Sequence, residues 1–213
     1  LAWRAHDGFD QAYPSFTGGN AVGQRRSTTS PLSSMAAQNM GYTTPFALAS
    51  ATQFEYAPPR ALDSTRWQSD FDEAKRLGAT NSAERSADQT AIAFFWNAYA
   101  TVDWSEAAEQ IARSGRTTPA QNVRIFALLN IALADTAIVT FNAKRRFGAD
   151  PAAVTWRPVT AIPLVGRDGD AALQPDRDWT PLIVTPNHPE YPASHPATHG
   201  AGVLVNTSFN GFS

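Results

Sequence analysis

The chain has no cysteine and only four histidines and two methionines in 213 residues. Without thiols it can hold no disulfide, no thiolate zinc site and no cysteine nucleophile. Charge of one sign is also missing: 17 Lys and Arg against 19 Asp and Glu leave a net −2. The arginines are scattered, so there is no basic stripe of the kind nucleic acid needs. No continuous apolar run approaches the length of about 20 residues that spans a bilayer, and the expectation is of no transmembrane segment. What is present, 43% hydrophobic and 17% charged residues, is the composition of a globular domain long enough to bury a core. The opening LAWRAHDGF has neither an initiator methionine nor the basic-then-apolar order of a signal peptide. It reads as a processed or partial product; the absence of cysteine fits an exported or an intracellular protein, and export, periplasmic or secreted, is the expectation.

The pattern along the chain predicts an all-α protein: one helical domain over residues 1–213, with a loop-rich part over 1–60 and a helical core over 61–213. Residues 1–60 are rich in Gly, Ser, Thr and Pro and show no sustained period. Ser64 suits an N-cap, Trp67, Phe71, Ala74 and Leu77 follow at helical spacing, and Gly78 is a stop. Two further helical stretches lie in NSAERSADQTAIAFFWNAYA and in DWSEAAEQIARSG, the second ending at Gly115. The strongest element starts at Thr118, with Pro119 in the first helical position and Gln121 completing a capping box, and runs to Gly148. It is apolar on nearly every face and is predicted to be the central buried helix. Residues 148–190 read as a long structured loop. The last apolar stretch reads as a second buried helix, capped by Ser194 and carrying Pro196 in its first turn.

Several polar residues stand out against this background. On the long helix Lys144 falls within about 20° of Leu133 at 100° per residue, so its stem follows a core-facing stripe. A lysine near a helix C-terminus can also snorkel to solvent, favoured there by the macrodipole. Arg157, in TWRPVTAI, is held extended by Pro158, and its guanidinium offers a rigid fork for an oxyanion or for solvent. His195 sits at the start of the last helix, where free backbone N–H groups attract anions, so it can exchange protons with one or simply bond a carbonyl. His199 lies one turn further, at the i, i+4 spacing of metal pairs, but HPATH lacks the glutamate of the metalloprotease pattern and a third ligand. Asp168, Asp170, Asp176 and Asp178 do not match the spacing of a calcium loop and read as a solvated segment.

Lys144, Arg157 and His195 all suit a small oxyanion, and their order resembles the vanadium-dependent haloperoxidases and the related type 2 phosphatidic-acid phosphatase superfamily. The matching segments are NAKRRFGADPAAVTWRPVTAI and RDWTPLIVTPNHPEYPASHPATHGAG, with weaker similarity in LAWRAHDGFD and FTGGNAVGQ. The resemblance implies a helical bundle in which Lys144 and Arg157 bond equatorial oxygens of vanadate or phosphate and His195 is the acid–base group. Ser194 stands in as a donor, because Pro-Ala-Ser-His replaces the family's Pro-Ser-Gly-His. Twelve residues separate Lys144 from Arg157 where the family has six, which predicts that residues 148–153 bulge out as an inserted loop. The family's third motif, with the histidine that binds vanadium, would lie beyond Ser213, and no metal ligand is expected before it.

The implied activity is oxidation of halide by hydrogen peroxide with vanadate as cofactor, the partners being peroxide, halide or a small organic substrate. Two other functions fit the same residues. One is an acid phosphatase of the superfamily acting through a phosphohistidine, with phosphate in the vanadate site. The other is a non-catalytic helical protein that binds an anion or plays a structural part. Exposed apolar surface on so helical a chain would favour homo-oligomers.

Overall fold

The computed structural model describes residues 2–115, 117–166 and 173–210. Among them are six α-helices, α1 (Thr65–Gly78), α2 (Ala87–Phe95), α3 (Ala100–Ser114), α4 (Pro119–Ala149), α5 (Pro158–Leu164) and α6 (Ser194–Asn210), with 3-10 turns at Ala2–Arg4 and Gln38–Tyr42. No sheet forms among the described residues, where pairing is limited to isolated bridges Gly18–Arg26 and Ala79–Pro181. The expected all-α class is therefore observed.

Local chemistry sets the helix starts. Ser64 accepts from the Trp67 backbone N–H, and Ser86 with Gln89 and Thr118 with Gln121 form reciprocal capping boxes. Pro119 occupies the first turn of α4, where its missing N–H costs nothing. The region 1–60 is loop and 3-10 turn, as its composition predicts.

α4 organises the rest, packing on α6, on α3 and on the 3-10 turn Gln38–Tyr42. Ile125, Leu129 and Leu133 of α4 bury completely or nearly so against Ala108 of α3, with Trp104, Phe126, Ala201 and Val205 at the margin. A second cluster, Phe71, Trp156, Ile162, Val165 and Trp179, joins α1 to α5. Asp135 of α4 is buried and accepts backbone N–H bonds from Phe46, Ala47 and Leu48 at 2.5, 2.8 and 3.0 Å, which tacks the N-terminal loops to the helix.

Four expectations are corrected. α4 is buried along a stripe and not on every face: Val123 is 70% exposed and Leu128 41%. α6 likewise leaves Leu204 70% exposed. α4 is also apolar and long enough to cross a membrane by length and composition, with mean hydropathy 1.7 over 18 residues. Counting unbroken apolar residues hid this, because isolated polar residues such as Asn130 and Asp135 interrupt the run but barely lower its average. The segment 148–190 is not all loop, since Pro158 starts the short helix α5.

Candidate oxyanion site

The C-terminal end of α4, the start of α5 and the start of α6 meet a strap, residues 179–190. Lys144, Arg157, Ser194 and His195 all line one cavity between them, together with His188 and Glu190, with a volume of about 420 Å³. The four residues named from sequence are thus brought together from segments up to 51 positions apart.

Lys144 is fully buried. Its Nζ donates to the carbonyls of Pro189 at 2.6 Å and Glu190 at 3.2 Å, leaving one of the three ammonium protons for the cavity. Gly148, one turn on, allows this approach: a Cβ there would lie 2.9 Å from the Pro189 ring and 3.1 Å from that of Phe16. The inserted loop expected over 148–153 is shorter than predicted, since α4 continues through Ala149 and the chain turns back by an Ala153 N–H to Asp150 carbonyl bond of 3.2 Å. The long gap is absorbed partly as helix, and Lys144 keeps its inward direction.

Arg157 is the N-cap of α5, extended at φ −90, ψ 151 as Pro158 requires. Residues 155 and 156 are fixed from the N-terminal loops, both donating N–H to the Gly23 carbonyl, at 2.7 and 2.9 Å. Arg157 Nε donates to the His188 carbonyl at 2.9 Å, Nη2 lies 2.7 Å from His188 Nδ1, and Nη1 pairs with Glu190 Oε2 at 2.9 Å. Three of its five N–H groups are engaged, and two remain.

Arg25, also fully buried, completes the cluster. It donates to the Phe16 carbonyl at 2.9 Å and to Asn187 Oδ1 at 2.6 Å, with the Asn187 carbonyl at 3.4 Å. The four successive carbonyls of Asn187, His188, Pro189 and Glu190 therefore each face one of three cations. Carbonyl dipoles orient those cations but do not cancel their charge, and the carboxylate that faces them is that of Glu190. The electrostatics record the excess. Burial, and then Arg157, lower Lys144 to about 7, while Glu190 acts the other way. Burial and Arg157 lower Arg25 to about 10, and burial lowers Arg157 against the pull of Glu190. A small polyanion would relieve all three groups, so the donor set fits vanadate or phosphate.

His188 was not singled out in sequence. Burial first, then Lys144 and Arg157, lower it to about 3, so it is neutral. A guanidinium can only donate, so Nδ1 accepts from Arg157 and the proton sits on Nε2. Arg25 and Glu190 were missed too. A buried arginine in a Gly/Ser/Thr-rich segment has no periodicity to mark it; PNHPE, a histidine set between prolines next to the recognised motif, was the available signal.

Ser194 is the first residue of α6 and not its cap, a one-position shift, and its carbonyl accepts from Thr198 Oγ1 at 2.9 Å. His195 is exposed at the cavity mouth, so its ring touches both cavity and solvent. His199 turns away to α3, where Nδ1 accepts from Trp104 Nε1 at 2.9 Å, and its ring centroid is 6.1 Å from that of His195. Of the aspartates weighed for calcium, Asp176 lies in irregular backbone and Asp178 in a turn, and Asp168 and Asp170 lie outside the described residues.

Residues 124–212 match the family model described as the VCPO second helical-bundle domain. Among solved structures the chain is similar to one described as the first bacterial vanadium-dependent iodoperoxidase, at 24% identity and TM-score 0.76, covering 99% of this chain and 51% of that one. The chain thus spans about half the length of the structure it matches, and the likeness at this identity is one of fold. A search of curated proteins finds no match.

Proposed function

We propose, from the match of residues 124–212 to the family model described as the VCPO second helical-bundle domain, that the cavity holds vanadate and that the chain forms part or all of a haloperoxidase-like enzyme oxidising halide with hydrogen peroxide. The observation that carries the reading is the excess of positive charge at one cavity, lined by Lys144 and Arg157 against Glu190, with Arg25 buried behind it. Lys144 and Arg157 would hold the anion through their remaining N–H groups, Ser194 through its hydroxyl, and the free N–H groups at the start of α6 through the helix dipole.

Vanadate, when bound, supplies a Lewis-acid centre that makes peroxide susceptible to halide. The protein's own part is positional and protonic. His188 and Glu190 keep Arg157 from rotating, and the cations are set in place before the anion arrives, so little reorganisation is needed. The reaction, halide plus peroxide plus a proton giving hypohalous acid and water, consumes one proton. His195, reaching solvent and cavity, is the group to deliver it.

The test is binding first and turnover second. Titration with vanadate and with phosphate should show an anion site that Arg157→Ala weakens at least tenfold. Iodide and bromide oxidation should appear with vanadate and peroxide and be lost in His195→Ala. Phosphomonoester hydrolysis inhibited by vanadate, with no halide oxidation, would replace the peroxidase reading by the phosphatase one. Unchanged affinity in Arg157→Ala would remove the anion site itself.

A further inference from the structure

Among the described residues, Glu190 is the one acid lining the cavity that Lys144, Arg157 and the start of α6 enclose. Its backbone is fixed at both ends: the N–H donates to the Thr155 carbonyl at 3.0 Å, and the carbonyl accepts from Lys144 Nζ at 3.2 Å. The side chain is 45% exposed, yet Oε2 is closed off from water, pairs with Arg157 Nη1 at 2.9 Å and has no other partner among the described residues. Aiming Arg157 does not require a negative charge, since His188 already fastens that guanidinium by Nε and Nη2. A carboxylate here also repels the ligand that the cations attract.

The cavity wall itself carries little net charge. Arg157 and Lys144 face Glu190, while Arg25 lies buried behind and lines none of the cavity. Burial and then Arg157, against the pull of Glu190, lower Lys144 to about 7, so about half of the molecules hold the ammonium form at neutral pH. His188 is neutral, and His195 stands at the mouth. An anion held by the remaining N–H groups of Arg157 lies one guanidinium away from the Glu190 carboxylate, inside the screening length of about 8 Å at physiological salt. Coulomb repulsion is proportional to the charge of the ligand, so the factor by which it weakens a dianion is the square of the factor for a monoanion. At neutral pH a phosphate monoester, with a second pKa of about 6, is mostly a dianion. Vanadate keeps its second proton to higher pH and is mostly a monoanion.

We infer that Glu190 is a specificity-determining residue of the oxyanion site, a fixed negative charge that shifts its preference from doubly charged tetrahedral anions, such as phosphate monoesters, toward singly charged ones, such as the vanadate monoanion. The inference rests on the oxyanion reading above and adds to it the charge of the ligand. The cations decide that an anion binds, and Glu190 decides how much negative charge it carries.

Calorimetric titration with perrhenate and with sulfate, at neutral pH and constant ionic strength, tests it without turnover. Both anions are tetrahedral and neither takes up a proton near neutrality, so they differ in carrying one charge or two. Glu190→Gln should raise perrhenate affinity at least threefold and sulfate affinity at least tenfold, with the sulfate gain at least threefold the larger. Both anions also gain the Arg157 N–H that Glu190 releases, but by a similar factor, so the difference between the two gains reads the charge alone. Glu190→Asp, which keeps the charge, should hold the sulfate-to-perrhenate preference within twofold of the native chain. Equal gains for the two anions in Glu190→Gln, no gain for either, or a Glu190→Asp preference like that of Glu190→Gln overturns the charge selection alone. Failure of both anions to bind either the native chain or Glu190→Gln removes the oxyanion reading and this inference with it.

Discussion

Arg157 and His188 are fastened twice, Nε to the His188 carbonyl at 2.9 Å and Nη2 to its Nδ1 at 2.7 Å. The imidazole serves as a fixed acceptor that aims a guanidinium, and its neutrality follows from burial beside two cations. His188→Ala should therefore weaken phosphate or vanadate binding about tenfold, the scale of about 1–1.5 kcal/mol for one lost orienting bond. His188→Asn, which keeps an acceptor, should recover part of it. Equal affinities for all three proteins by titration would contradict this role.

Lys144 makes stability depend on pH. Burial moves its titration from 10.5 to about 7, so between those values the unfolded chain holds a proton that the folded chain lacks. Stability then rises with pH across about 7 to 10.5 and stays level with respect to this group below 7. Bound anion favours the ammonium form, raises the Lys144 pKa and flattens the slope. Urea midpoints of the native chain and of Lys144→Met over this window, with and without phosphate, provide the check: the slope should be shallower in the variant, and phosphate should flatten it only in the native chain.

Asp135 holds the N-terminal loops by three charge-assisted bonds to backbone N–H groups. Asp135→Ala leaves those donors without their acceptor and should cost about 2–4 kcal/mol in chemical denaturation. Anion affinity should stay within a factor of about three at temperatures where the variant is folded, because Asp135 is more than two helical turns from Lys144.

Trp104 controls His199. Its indole N–H, donated to Nδ1 at 2.9 Å, favours the neutral imidazole, and burial followed by His195 already lowers the His199 pKa while Asp103 opposes. Trp104→Phe removes the donor, so the His199 pKa should rise, readable in an NMR titration of the ring protons. Gly202→Ala should disturb the same contact, since its Cβ would overlap the Trp104 ring, at a cost of about 1–3 kcal/mol.

Much of the scaffold was legible in primary order because its signals are local. Caps at Ser64 and Thr118, the proline at 119 and the 3.6-residue apolar period act within one or two turns, so the start of α4 and the all-α class follow from the chain itself. The direction of Lys144 was legible for the same reason, since a helix phase fixes a side chain's face. The exposure of Leu128 and Leu204 was not, because an apolar residue is buried only if something packs on it, and that is a property of neighbours.

Primary order alone points to candidate partners for an oxyanion: an amine on a helical face, a guanidinium before a proline and an imidazole opening a helix. Long-range folding is what brings the strap at residues 187–190 among them, offering four backbone carbonyls to three cations and making His188 the acceptor that aims Arg157. Carbonyls are the same in every residue and carry no letter of their own. Their grouping comes from chain reversal over tens of residues, which no local pattern encodes.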